Sequence, residues 1–334
     1  MKKKGFLFGL IVFMFVSVFS VSGGGTREAS EGPWQPPSDM SFACGGSVGG
    51  GVDTFMRTMG QVFNASGIVE QSIGFQNFTG GGGQVCVRTI YETMVGRDNM
   101  LMAGTGSIMP VEVANNSPSR QTGLTPIARL MTETMAIAVG VKNTKVDTME
   151  KFLSIMKSDP GSLNFGGTLP PSEDFLAMVS ICNALGIDYR KCNYVTFDGS
   201  GEVLPALMGG HIDVSFSGIA EWSSAVEAGQ VKVIAVAANE RAGGLYKDTP
   251  TFKEKGVDFV WQNWRGLLGP REMPQEAIDY WKDAARKLSE SKEWKDMCDK
   301  MLYEQGFMVD GFHDYLIAYE KQCEDALKTA GLIK

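Results

Sequence analysis

Three glycine-rich stretches in this sequence each lie between a short apolar run and an amphipathic run. They are ACGGSVGGGVDTF at 43–55, FTGGGGQV at 78–85 and GGTLPPS at 166–172. At a helix N-terminus, free backbone N–H groups and the helix dipole attract an anion without a cationic side chain. Three strand–small residue–helix junctions of this kind predict a cleft that clamps a carboxylate.

Each cluster taken alone also fits a purely structural role, in a tight turn or in close helix–strand packing. A nucleotide phosphate loop does not fit, because Val52 and Asp53 follow the glycines where a P-loop requires Lys and then Ser or Thr. The spacing from Gly45 to Gly51 also departs from the dinucleotide fingerprint GxGxxG. The structural role and the carboxylate clamp stay open as alternatives.

Hydroxyl side chains in or beside these junctions would add hydrogen bonds to a bound carboxylate. They are Ser47, Thr79, Thr105, Thr168 and Ser172. Three acids, Asp53, Glu173 and Asp174, lie where first helical turns are predicted, and acids there complement the helix dipole. If they faced the cleft instead, they would repel an anion or pair with a ligand amine.

The other reactive residue types indicate a binding protein and not an enzyme. Catalysis requires a nucleophile with a base, a metal, or a tuned acid–base pair. Of the two histidines, His211 follows a Gly-Gly helix stop and His313 lies in the C-terminal helical region. Adjacent helix residues such as Glu173 and Asp174 point in different directions, and no Cys/His spacing indicates a metal. We expect no metal and no cofactor, with a hydrolase or lyase as the alternative.

The N-terminal sequence MKKKGFLFGLIVFMFVSVFSVSGGG has three lysines, an apolar run and then small residues. This is the pattern of a secretory signal, and we expect a signal peptide at 1–22 that is cleaved near Ser22 or Gly23. The alternative is an uncleaved membrane anchor, because the apolar run is near the shortest length that spans a bilayer. Either way the chain is exported, to the periplasm or the extracellular space. The small, polar, proline-rich residues 23–38 predict a flexible linker.

Charge and cysteine content agree with an exported protein that binds a small molecule. Lys and Arg number 31 against 38 Asp and Glu, a net charge of −7, which disfavours nucleic acid and anionic membrane surfaces as partners. Six cysteines permit disulfides in an oxidising compartment. The suggested pairs are Cys182 with Cys192 and Cys298 with Cys323, leaving Cys44 and Cys86.

Short β-like runs alternate with helical patterns along the chain, which predicts an α/β architecture with largely parallel sheets. Apolar residues from Val52 to Phe63 recur at helical spacing, and Gly67 follows as a stop. Strands are predicted at NMLMAGT, MAIAVGV, SLNFGG and VKVIAVAAN, and mostly helices from Gln275 onward.

Seven motifs occur in a fixed order: GGGVDTFMR, QNFTGGGGQ, NFGG followed by SEDFLA, VTFDGSGEVLPALMGGHIDVSF, VIAVAA, DTPTFKEKGVDF and WRGLLGP. From about Trp34 to the C-terminus, this order resembles the extracytoplasmic substrate-binding proteins of tripartite tricarboxylate transporters, the TctC or Bug family. The resemblance implies a bilobal periplasmic-binding-protein (type II) fold, with two α/β lobes and a ligand cleft between them. Lobe 1 is expected to comprise 39–134 and 259–334, and lobe 2 to comprise 135–258.

The resemblance also implies a function. A receptor of this family, expected to be a monomer, captures a small carboxylate and delivers it to two integral-membrane subunits of the transporter. A solute receptor for a sensor or for storage is the alternative. By position, the implied ligand contacts are Gly49, Gly50, Gly51, Asp53, Gly82, Gly83, Gly167, Ser172, Gly199, Ser200 and Trp264.

Some residues depart from the family pattern. Pro170 and Pro171 stiffen the third loop and remove two N–H donors, and Asp198 stands where a lysine is common. Arg265, beside Trp264, could meet a distal carboxylate of the ligand, although a solvated arginine is the simpler interpretation.

Overall fold

The computed structural model describes residues 33–143, 145–197 and 200–334. The expected signal peptide, most of the expected linker, and Asp198 and Gly199 lie outside the described residues. Ser200 is placed as the first residue of a helix. Residues 34–334 form one compact unit.

The described residues form nine strands and ten α-helices, which alternate up to the eighth strand; the ninth strand and then three consecutive helices follow. The strands are β1 (Ser41–Cys44), β2 (Gly74–Asn77), β3 (Met100–Thr105), β4 (Thr125–Gly140), β5 (Asn164–Thr168), β6 (Asn193–Phe197), β7 (Val214–Gly218), β8 (Val231–Val236) and β9 (Gln262–Gly269). The helices are α1 (Gly51–Ala65), α2 (Gln84–Thr93), α3 (Met109–Ala114), α4 (Met149–Ser158), α5 (Glu173–Ala184), α6 (Ser200–Gly209), α7 (Ile219–Glu227), α8 (Gln275–Glu290), α9 (Lys292–Met301) and α10 (Phe312–Thr329). The predicted helix before Gly67, the four predicted strands and the helical C-terminal region are confirmed.

One long strand, β4, connects two groups of strands. The sheet order is β2-β1-β3-β9-β4-β7-β5-β6, and β8 also pairs with β4. Residues Thr125–Thr134 of β4 pair with β9, whereas Met135–Gly140 pair with β7 or β8. We call β2, β1, β3 and β9 the first half of the sheet, and β5 to β8 the second half.

The prediction of largely parallel sheets is wrong for the strands that join the two halves. β1 is parallel to β2 and β3, and β5 is parallel to β6 and β7, as expected when helices connect successive strands. Every pairing made by β4 or β9 is antiparallel. β4 and β9 each lie beside strands that run in the opposite direction. This arrangement depends on pairing between distant parts of the chain, so it leaves no local signal in the sequence.

The helix that follows the first glycine loop is fixed by an aromatic cluster. In α1 the residues Phe55, Met56, Met59 and Phe63 lie on one face and are at most 1% exposed. The ring of Phe63 packs edge-on against Trp281 of α8, with centroids 5.7 Å apart. Each such buried side chain contributes roughly 1.5–3 kcal/mol to stability. This packing holds the start of α1 in a fixed position.

The N-terminal end of the described chain contacts the folded unit. The indole N–H of Trp34 donates to Asp98 Oδ2 at 2.8 Å, and its ring packs against Tyr280 with centroids 5.1 Å apart. No helix within the described residues is long and apolar enough to span a bilayer.

All six cysteines are free thiols in the structure. The Sγ atoms of Cys182 and Cys192 are 3.4 Å apart, so the first suggested pair is adjacent. The structure does not bring Cys298 and Cys323 together, because they belong to different hydrophobic clusters.

Candidate functional site

A cleft of about 560 Å³ lies where residues of both halves of the sheet approach each other. On the side of the first half it is lined by Gly51, Val52, Gly82, Ser107, Val111, Asn263 and Arg265. β4 and the second half contribute Glu133, Met135, Thr168, Leu169, Pro170, Pro171, Ser172, Glu173, Asp174, Phe216, Ser217, Gly218 and Glu221. We refer to this space as the cleft.

The first glycine loop brings the N-terminus of α1 to the cleft. Gly50 is the N-cap residue and provides no side-chain cap, so first-turn N–H groups of the helix are left without an intrahelical acceptor. Gly51 and Val52 line the cleft. A Cβ atom on Gly51 would lie 3.0 Å from Arg265 Nη2, so a larger residue here would press on that guanidinium.

Asp53 holds this loop in shape. Its carboxylate accepts hydrogen bonds from the Gly49 N–H at 2.8 Å, from Arg57 Nε at 2.8 Å and from Asn77 Nδ2 at 2.9 Å. Burial opposes the ionisation of Asp53, but these hydrogen bonds outweigh it and lower the pKa of the carboxyl. Asp53 is 2% exposed and does not line the cleft; its partners belong to the loop, to α1 and to the end of β2.

The second glycine loop requires glycine for its backbone conformation. Gly80, Gly81, Gly82 and Gly83 all have positive φ, between 57° and 122°, a region that L-residues rarely adopt. A Cβ atom on Gly83 would also lie 2.6 Å from Ile108. Gly82 lines the cleft, so this tight turn places backbone directly at the ligand space.

A hydrogen-bonded group lies beneath the floor of the cleft. Thr105 is fully buried, and its N–H donates to Gln121 Oε1 at 3.0 Å. The Thr105 hydroxyl donates to Asn263 Oδ1 at 3.3 Å and lies 3.1 Å from the Ser107 hydroxyl. Thr105 thus positions Ser107 and Asn263, which themselves line the cleft.

The third loop uses most of its donors internally. Asp174 accepts hydrogen bonds from both the N–H and the hydroxyl of Thr168. The Ser172 hydroxyl donates to the Thr168 carbonyl at 2.9 Å, and Ser172 is the N-cap of α5. The position before Thr168 must be a glycine, because a Cβ atom on Gly167 would lie 2.3 Å from Asp174 Oδ2. The loop is therefore held by its own side chains.

Arg265 is buried, so its interpretation as a solvated arginine is wrong. Its guanidinium is 3.0 Å from Glu133 Oε2, and it also donates to the Gly51 carbonyl and the Tyr303 hydroxyl, each at 2.9 Å. Burial raises the pKa of Glu133, and the Arg265 guanidinium limits that rise. The pair links β4, β9 and the start of α1.

Glu173 is a second carboxylate with a perturbed environment. Its Oε1 accepts hydrogen bonds from Trp261 Nε1 at 2.8 Å and from the Tyr319 hydroxyl at 3.0 Å. Burial nevertheless dominates and raises the pKa of Glu173 to about 7. With Glu133, Asp174 and Glu221, the described residues that line the cleft include four carboxylates and one guanidinium, that of Arg265.

Comparison with known proteins identifies the family. The model of the TctC family, described as the tripartite tricarboxylate transporter family receptor, matches residues 60–317. The chain belongs to the TctC family. A TctC relative from Cupriavidus necator, described as the UPF0065 protein in gbd 5'region, is 23% identical over 279 residues, 82% of this chain and 81% of its own.

Solved structures confirm the bilobal α/β fold of TctC and Bug periplasmic binding proteins. MatC from Rhodopseudomonas palustris, with bound malate, has a TM-score of 0.72 and 21% identity, covering 86% of this chain and 98% of its own. Rpa4515 from R. palustris, with adipate, has a TM-score of 0.73 and 19% identity, covering 87% of this chain and 97% of its own. At this identity, the likeness establishes the fold.

Four residues predicted as ligand contacts of this TctC protein line the cleft, namely Gly51, Gly82, Thr168 and Ser172. Gly199 lies outside the described residues, and the predicted contacts named next lie behind or beside the cleft. Thr105, Gly167 and Trp264 are buried, Gly83 packs on Ile108, and Ser47, Gly49, Gly50 and Thr79 are exposed outside the lining. Trp264 packs edge-on against Phe312, with centroids 5.5 Å apart.

Sequence reasoning missed the part of the TctC cleft that is formed where β7 leads into α7. Phe216, Ser217 and Gly218 end β7 just before α7, which is another strand–small residue–helix junction. The sequence SFSGIAEW carried the same signal as the glycine loops, with only one glycine. Nothing near Glu133 in the sequence indicates that it lines the cleft. Its charge is explained by its partner, Arg265, which is distant in the sequence.

Proposed function

We propose that this protein is a receptor that captures a small carboxylate in the cleft and delivers it to two integral-membrane subunits of a tripartite tricarboxylate-type transporter. The observation that carries the proposal is the uncapped N-terminus of α1, which opens on the cleft of a TctC family member. Membership of the family supports the transport role. Bound malate in MatC and adipate in Rpa4515 support a carboxylate ligand.

The carboxylate contacts in this proposal come from the first half of the sheet. First-turn N–H groups of Gly51 and Val52 supply donors with the favourable end of the helix dipole. The Ser107 hydroxyl and the backbone around Gly82 lie on the same side of the cleft. Because these donors belong to the backbone or to short side chains, their positions are set before the ligand arrives.

The lobes in this proposal are 39–134 with 259–334, and 135–258. Support comes from β4, whose partner changes from β9 to β7 and β8 between Thr134 and Met135. Closure of the two lobes would bury the ligand and present a closed surface to the membrane subunits.

Several finer features belong to the same proposal. The protein binds its ligand and releases it unchanged, and among the described residues neither a cysteine nor a histidine lines the cleft. It is exported by the N-terminal signal, acts in the periplasm, and is a monomer that uses neither metal nor cofactor.

The test is thermal stabilisation of the purified protein by a panel of carboxylates and by their uncharged amides. A ligand at about one hundred times its Kd stabilises by roughly 2.7 kcal/mol, which is visible as a shift in melting temperature. We expect a shift with an acid and none with its amide. The ligand recovered afterwards should be chemically unchanged by NMR.

A matched pair of variants tests the location of the site. Gly51→Val places side-chain atoms against the Arg265 guanidinium and over the start of α1, so we expect a loss of affinity on the order of tenfold or more. Gly243→Val is the control, because a Cβ there meets no atom within 4 Å and Gly243 has a negative φ of −79°. Wild-type affinity in Gly51→Val would contradict the proposed clamp.

A further inference from the structure

The two sides of the cleft differ in chemistry, and the difference concerns the ligand itself. On the α1 side, the first-turn N–H groups of α1 and the Arg265 guanidinium are hydrogen-bond donors. Arg265 is 5% exposed and lines the cleft, and its Nε has no hydrogen-bond partner among the described residues. A buried donor without an acceptor is unfavourable, and a carboxylate is an acceptor of the required kind.

On the opposite side the third loop offers few side-chain donors for a second carboxylate. Pro170 and Pro171 have no N–H, and the N–H and hydroxyl of Thr168 already donate to Asp174. The Ser172 hydroxyl donates to a backbone carbonyl. Next to α7 the Ser217 hydroxyl donates to Glu221 Oε2 at 2.7 Å, and the donors left there are first-turn N–H groups of α7, because its N-cap Gly218 has no side chain to cap them.

The opposite side instead carries acceptors. Glu173 Oε1 receives two hydrogen bonds and Glu221 Oε2 receives one, while no described residue donates to the second oxygen of either carboxylate. Glu133 differs, because its charge is paired with Arg265. Glu173 and Glu221 are therefore the cleft acids with capacity for a ligand donor.

Charge decides between two classes of ligand. A ligand carboxylate close to an ionised Glu173 or Glu221 is repelled, whereas an ammonium at the same place is attracted. Building on the proposed receptor function, we propose that the ligand carries a cationic ammonium group in addition to its carboxylate. The carboxylate lies at the α1 side, and Glu173 and Glu221 hold the ammonium. The ligand class is that of small amino acids.

The experiment compares probes that differ only in an amino group. Binding is measured by isothermal titration calorimetry at a pH above the Glu173 pKa of about 7, where its carboxyl group is ionised. The probe pairs are succinate and aspartate, glutarate and glutamate, adipate and 2-aminoadipate, and butyrate and 4-aminobutyrate. In the pair that binds best, we expect the amino member to bind tighter by on the order of tenfold or more. Glu173→Gln and Glu221→Gln should each reduce that preference several-fold.

Glu227→Gln is the matched control, since Glu227 is exposed on α7 and lies outside the lining of the cleft. It should keep the full preference. Far-UV circular dichroism checks that each variant is folded, and the exposed position of Glu221 keeps the test valid if Glu173→Gln unfolds.

Each other result overturns a stated part of the inference. Equal binding of both members, or tighter binding of the member without an amine, would contradict the proposed ammonium group. The proposal of a carboxylate receptor would still stand. If the preference for the amine persists in both variants, Glu173 and Glu221 do not hold the ammonium group. No binding by any member of any pair overturns the receptor proposal, and the inference with it.

Discussion

The carboxyl group of Glu173 should make the stability of this protein depend on pH. Its pKa is about 7 in the folded protein against an ordinary value of 4.5, with burial as the main cause. The folded state therefore binds this proton more tightly than the unfolded state does. The stabilisation is complete below pH 4.5 and is lost as the pH rises through 7.

The size of the effect follows from these two values. The difference between 4.5 and about 7 corresponds to about 3 kcal/mol in the free energy of unfolding. Glu173→Gln removes the titration and keeps an oxygen that can accept from Trp261 and Tyr319. Relative to wild type, we expect the variant to gain about 3 kcal/mol on going from about pH 4.5 to pH 7.

The assay is urea unfolding, followed by tryptophan fluorescence at a series of pH values without ligand. Glu112, whose pKa burial raises to about 8, contributes a similar slope to both proteins and cancels in the difference. Glu227→Gln, at an exposed position, serves as a control and should follow wild type. If wild type and Glu173→Gln lost stability in parallel across this range, the assigned environment of Glu173 would be incorrect.

Two further predictions concern stability. Oxidation should join Cys182 and Cys192, whose Sγ atoms are 3.4 Å apart, and raise the free energy of unfolding by about 3 kcal/mol. Denaturant unfolding with and without reductant measures this difference. The control is Cys192→Ser, whose stability should not respond to reductant. Glu133→Ala should lower the free energy of unfolding by about 3–5 kcal/mol, because it leaves the Arg265 charge buried and unpaired. A loss below about 1 kcal/mol in the same assay would mean that the pair behaves like a surface ion pair.

Local patterns predicted those elements that depend on local physics. The apolar spacing in α1 and the glycine after it are enough to define a helix and its end, and the structure places both where expected. Proline and glycine content likewise predicted the turns at the glycine loops. These features depend only on residues that are neighbours in the sequence, and for that reason they could be predicted from it.

β4 shows where this approach stops. Its second part, MAIAVG, reads as a buried strand, but the first part contains Arg129, Thr132, Glu133 and Thr134 and has no apolar alternation. Those polar residues are accommodated by distant partners. The Arg129 guanidinium donates to the Gly306 carbonyl at 2.6 Å and lies 4.3 Å from the centre of the Tyr315 ring.

The candidate site divides in the same way. The backbone that lines one side of the cleft was predicted from glycine content, because positive φ and close approach leave a direct mark on composition. The buried pair Glu133–Arg265 joins residues 132 positions apart, so neither member indicates the other in the sequence. Trp264 was expected at the ligand from family position, and its ring is in the core instead. Whether a side chain faces the ligand or the core depends on the fold around it.

The sharing of β4 has a consequence for attempts to divide this protein. A fragment that ended at residue 258 would lack β9, and the edges of β3 and β4 that β9 covers would be open. The β3 edge is apolar, and open apolar edges recruit strands from other molecules. A fragment that began at residue 135 would keep only one portion of β4. Neither half is a self-sufficient module, and we expect such truncations to be recovered as aggregates.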